Sequence, residues 1–233
     1  AAAAVVAGLG VELRLFAPRR MPRRGEAAAW SIGWLLLACV VAAGIALLGG
    51  PAGEWTTVYL IERSLSLDNV FLFSLLLAYF LVPPELRGRV ILIGIAGALV
   101  LRGVAIAAGL ALIESVEAVV YVFGVLLLYV AYRTFRGTAD EADPAANPVL
   151  RLVRRTISTT DDFRDRRLLL REEGRLYGTP LLVVVVAIIV ADIAFAVDSI
   201  PAAFAVTRDP VVIWTANAFA LLGLGSMLAL VDI

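Results

Sequence analysis

The sequence predicts an all-α protein, a polytopic transmembrane bundle of about seven helices built as two inverted repeats. Three observations carry that prediction. Apolar residues make up 61% of the chain and the mean hydropathy is +0.93, well above the roughly 45–50% apolar usage of soluble domains. Several apolar runs reach the about 20 residues that a helix needs to cross a bilayer. The arginines are spread unevenly between alternate loops, and that asymmetry sets a topology.

Seven apolar segments follow one another at approximately 1–16, 30–48, 55–81, 90–113, 117–135, 180–206 and 211–231. The first carries Glu12 and Arg14 and lacks the basic leader and cleavage site of a signal peptide. Gly49, Gly50, Pro51 and Gly53 separate the second segment from the third. Pro83 and Pro84 close the third, since proline cannot continue a helix. Residues 136–179 are polar, with Asp140, Glu141, Asp143, Pro144 and Pro148 followed by DDFRDRR, and read as a solvated, partly helical connector. The chain thus divides into a first membrane half at 1–135, a connector at 136–179 and a second membrane half at 180–233. It starts AAAAVV without methionine and stops in an apolar run, the pattern expected of a truncated bundle.

All 20 basic residues are arginine. Seventeen lie at the ends of the first, third and fifth segments or in the loops that follow them, Arg208 alone lies on the opposite side, and Arg63 and Arg102 fall within the third and fourth segments. Positively charged loops stay in the cytoplasm, so the N-terminus is expected outside, and the C-terminus and the 136–179 loop in the cytoplasm.

Composition also excludes chemistry. The chain has no histidine, and Cys39 is its only cysteine, which removes the soft and imidazole ligands of zinc and copper sites and any intramolecular disulfide. Cys39 reads as a packing residue in an apolar helix. There is no GxxxxGK[ST] and no lysine, hence no phosphate-binding loop. The GxGD motif of intramembrane aspartyl proteases is absent too. Nothing points to an enzyme, to a resident cofactor or to nucleic acid.

The informative residues are the ionisable ones inside helices, because each costs at least a few kcal/mol at mid-bilayer and needs a partner, an aqueous cavity or a function. The third segment carries Glu62, Asp68 and Asn69; the sixth carries Asp192, Asp198 and Ser199. Both follow one frame: acid, five residues, acid, small polar residue. The alternating topology runs the two copies in opposite directions, an arrangement that recurs in transporters with a polar site near the midplane. Residues seven apart share a helix face, which aligns Glu62 with Asn69 and Asp192 with Ser199. Asp68 and Asp198 stand about 100° away, and an unwinding near the serines of the third segment or at Pro201 would bring them in. Four carboxylates in a dry site repel one another, and a hard, oxygen-liganded cation such as manganese, magnesium or calcium relieves the conflict. Alternatively each acid bonds a hydroxyl or pairs with Arg63 or Arg102. Arg102, alone in its apolar segment, reads as the counter-ion that organises the acids. Asn217 reads as an extra oxygen ligand or as a helix–helix hydrogen bond.

The strings ERSLSLDNVF, GIAGALVLRG, YVFGVLLLY, AFAVDSIPAAFAVT and TANAFALLGLGS closely resemble the TerC/Alx family of integral membrane proteins, and the likeness runs through nearly the whole chain. The resemblance implies a bacterial inner-membrane protein of the LysE-like transporter superfamily, associated with manganese export and, historically, tellurium resistance. It marks Glu62, Asp68, Asn69, Asp192, Asp198 and Ser199 as the family's acidic-motif residues. The chain departs at three places: many members have glutamate where Ile189 stands, the arginine of GLRSL is replaced by Gly225, and members continue with further apolar helices. The function expected is secondary export of a divalent metal, manganese foremost. The alternative is a membrane scaffold of a metal-stress or protein-metalation complex. The partners expected are the metal ion, the bilayer, and membrane or cytoplasmic proteins docking on the 136–179 loop.

Overall fold

A computed structural model describes residues 24–116, 118–136, 168–172 and 175–231. The first apolar segment, with Glu12, and most of the connector lie outside the described residues. Within them the protein is an all-α membrane protein. Its helices are α1 (Arg24–Leu47), α2 (Ala52–Tyr79), α3 (Pro84–Ser115), α4 (Val119–Phe135), α5 (Pro180–Val206), α6 (Pro210–Leu222) and α7 (Leu224–Val231). Four spans are long and apolar enough to cross a membrane: α1, α3, α5 and the α6–α7 stretch Pro210–Val231. The 28-residue α2 has the length, while Glu54, Glu62, Arg63 and Asp68 dilute its apolar character. It packs against α1, α5, α6 and α7, so its polar face is turned into the bundle.

Local sequence sets the boundaries. At the end of α1, Gly49 adopts a φ of 72°, a left-handed conformation that glycine takes without steric cost. Its amide donates to the Ala46 carbonyl at 3.0 Å and the Gly50 amide to the Ile45 carbonyl at 2.8 Å, which closes the helix end. Pro84, Pro180 and Pro210 stand in the first turns of α3, α5 and α6, where the missing N–H costs nothing. The Asp209 carboxylate caps α6, accepting from the Val211 and Val212 amides at 2.8 and 3.2 Å.

Glycines on α3 fix how it meets α5. A Cβ on Gly94 would lie 2.6 Å from Ile188, on Gly97 2.6 Å from Ile189, and on Gly109 2.8 Å from Phe204. Small residues let membrane helices approach this closely. Because 94, 97 and 109 meet 188, 189 and 204 in rising order, α3 and α5 run parallel. A short turn over residues 80–83 joins α2 to α3, so α2 runs antiparallel to α5, and the two acidic helices cross head to tail.

Two expectations are corrected. Neither α2 nor α5 unwinds: both are continuous, and Pro201 lies inside α5. Neighbouring helices and local adjustment let a membrane helix carry a proline. The break falls instead in the last apolar segment, where Gly223 separates α6 from α7. At the end of the connector, Leu169–Glu172 and Arg175–Gly178 form an antiparallel hairpin, β1 and β2. Cys39, finally, is exposed on the outer side of α1 rather than packed.

Candidate functional site

The centre of the bundle holds one guanidinium and the groups that surround it. Arg102 comes from α3 and is flanked by small and apolar residues that offer it no partner in its own helix. Other helices supply them. The Nε donates to Asp192 Oδ2 at 3.0 Å and Nη2 to Asp192 Oδ1 at 2.9 Å, a two-pronged pairing that suits the planar fork of arginine. The Nη1 bonds Glu62 Oε1, Asn217 Oδ1 at 2.7 Å and Ser199 Oγ at 3.4 Å. Thus α2, α5 and α6 each send oxygen to one cation on α3. All five residues are only 1 to 2% exposed.

The orientation of each ligand is fixed locally. The Asn217 Nδ2 donates to the Ile213 carbonyl at 3.0 Å, which turns the amide oxygen toward Arg102. Glu62 and Asn69 are both buried, as are Asp192 and Ser199, so each seven-residue pair presents one inward face. Asp198 is half-buried on α5. Asp68 lies in α2, and its side chain is outside the described residues.

Asn69 behaves differently from the rest. It is 1% exposed, and neither its amide nitrogen nor its oxygen has a hydrogen-bond partner among the described residues. An unsatisfied buried polar group costs about 1–3 kcal/mol, so a persistent orphan marks a place for a ligand or water. Among the described residues no three His, Cys, Asp or Glu side chains come together as a metal-binding group. The oxygens of Glu62 and Asp192 face arginine instead, and the guanidinium stands where a cation would otherwise balance their charge.

The second intramembrane arginine was open as a partner for Glu62, but it serves another place. Arg63 Nη1 donates to the Ala220 carbonyl at 3.0 Å, and a Cβ on Gly223 would come within 2.7 Å of it. Its guanidinium therefore sits in the notch of the α6–α7 break. Neighbours in a helix point about 100° apart, and that signal alone separates Arg63 from Glu62. Ile189 closes over Gly97 and packs there as an apolar contact. Gly225 is buried in α7.

The sequence profile of the Integral membrane protein TerC family matches residues 50–232. The chain is 41% identical over 212 residues to Alx of Salmonella typhi, whose name proposes it as a membrane-bound redox modulator, with 87% of this chain and 66% of that protein covered. It is 39% identical over 226 residues to the membrane protein STKORF319 of Myxococcus xanthus, covering 96% and 71%. It is 42% identical over 183 residues to the chloroplastic thylakoid membrane protein TERC of Arabidopsis thaliana, covering 78% and 48%. The chain therefore spans 66% of the Alx length and about half of the thylakoid protein. No solved structure matches it.

Proposed function

The chain belongs to the TerC family of integral membrane proteins, and from that premise we propose that it is a secondary transporter exporting a hard divalent cation, most readily manganese. The observation that carries this reading is the buried cluster of Glu62, Asp192, Ser199 and Asn217 around Arg102, with the Asn69 amide, which has no partner among the described residues, on the same face of α2 as Glu62. Polar groups at this depth are costly and mark ion pathways. All the side chains offered are oxygen donors apart from arginine, which suits manganese or magnesium over zinc or copper.

The proposed working of the site follows from charge. Arg102 neutralises two acids with short, directed hydrogen bonds, so the empty site does not leave Glu62 and Asp192 uncompensated in a dry interior. In this proposal Asn69 and the remaining acids of the two motifs, Asp68 and Asp198, contribute to taking the cation. The resident guanidinium acts as a tethered cation that keeps the unloaded carrier able to change conformation. Antiparallel α2 and α5 give the two opposed halves that alternating access requires. The bacterial inner membrane, with the N-terminus outside and the 136–179 loop in the cytoplasm, completes the proposal.

Flux in proteoliposomes tests it. Purified protein is expected to carry manganese down its gradient, whereas a metal-stress scaffold, the competing reading, moves none.

A further inference from the structure

A second feature lies away from the carboxylates, at the end of the bundle where α5 finishes. Ile113 of α3, Val120, Phe123 and Gly124 of α4, and Phe204 of α5 line a crevice of about 180 Å³ with Arg208 at its rim. The rings of Phe123 and Phe204 stack at 6.2 Å with an interplanar angle of 14° and form one wall. Apolar cavities of about 150 Å³ stay dry and accept hydrocarbon guests, so these walls suit a hydrocarbon segment and not a hydrated ion.

Arg208 is the feature that needs an explanation. It is the single arginine on its side of the membrane by the loop pattern, the side from which basic residues are depleted. It is exposed, and among the described residues it makes no hydrogen bond or ion pair. The neighbouring Asp209 carboxylate is taken up by the α6 amides. Val120 stands in the first turn of the 17-residue α4, whose positive dipole end therefore borders the same crevice. Apolar walls, a guanidinium at the rim and a neighbouring helix N-terminus describe the two ends of one molecule.

We propose that this crevice binds a membrane phospholipid, with an acyl segment between α3, α4 and α5 and the phosphodiester on Arg208. The site is independent of the proposed metal pathway, and its test does not depend on transport. Protein delipidated in detergent is titrated with dioleoyl phosphatidylglycerol and the bound fraction read by native mass spectrometry. Dioleoylglycerol, which lacks the phosphate, and glycerol 3-phosphate, which lacks the chains, serve as probes of each half. Wild-type protein is expected to hold one phospholipid tightly and neither fragment. Arg208→Gln is expected to weaken binding about fivefold, the contribution of one basic residue near a lipid headgroup, with Arg208→Lys keeping most of it. Gly124→Leu fills the crevice from a position where an added Cβ meets no atom within 4 Å, and is expected to lower binding with the melting temperature unchanged. Binding of dioleoylglycerol equal to that of the phospholipid, binding of glycerol 3-phosphate alone, or unaltered binding by Arg208→Gln would each overturn the proposal.

Discussion

Arg102 separates the two things a buried charge can do, hold a protein together and hold a ligand. Its pairing with Glu62 and Asp192 makes it structural in this state, because removing the guanidinium leaves two buried carboxylates without compensation. Arg102→Gln is expected to destabilise by about 3–5 kcal/mol, read as a fall in melting temperature and membrane abundance together. Arg102→Lys keeps the charge but loses the fork that engages both Asp192 oxygens, so it is expected to be milder. Glu62→Gln leaves the Asp192 pairing intact and is expected to be milder still. A melting temperature for Arg102→Gln equal to wild type would contradict the compensating role. The need for a partner was legible in the sequence, since a lone charge in GALVLRGVAIAAG must find one on another helix. Which oxygens would answer was not. Asn217 was open as a ligand or a helix–helix bond, and its oxygen faces Arg102 at 2.7 Å, which only tertiary packing decides.

Among the elements, α5 was the most legible, because Pro180 at its start and a long apolar run rich in valine and isoleucine leave little choice; its bounds, Pro180–Val206, coincide with the expected 180–206. The site of helix breakage was not legible. Proline at 201 argued for a break, yet the packed environment holds α5 together, while Gly223 gives way where Arg63 reaches in. Glycine is common in membrane helices, so sequence alone does not distinguish a break from a packing contact. The α3–α5 contact is a packing case, and it can be tested. A Cβ on Gly94 would lie 2.6 Å from Ile188 Cγ2, so Gly94→Ala is expected to cost about 1–3 kcal/mol by overpacking. Adding Ile188→Ala should recover part of that loss, since the two residues share one contact and their effects should not add. Full additivity in thermal melts would show that the two helices do not meet in this register.

For the whole molecule, antiparallel α2 and α5 give an arrangement that matches the sequence frame shared by Glu62, Asp68, Asn69 and Asp192, Asp198, Ser199. The proposed orientation of that frame in the membrane rests on the arginine asymmetry. Ser158→Cys in a Cys39→Ser background should resist impermeant thiol reagents in intact cells, and ready labelling would reverse the orientation. The central claim is that two acidic motifs on opposed helices serve one cation path. Asp68→Asn and Asp198→Asn address it because neutralising an intramembrane acid eases insertion, so lost transport in a well-expressed mutant reports on function. The most direct measurement is manganese flux in proteoliposomes for wild type, both single mutants and the double mutant, normalised to folded protein. Each single mutant is expected to lose most of the flux at normal abundance, and the double mutant to be hardly worse than either. Near-normal flux in one single mutant, or losses that simply multiply, would contradict a shared site.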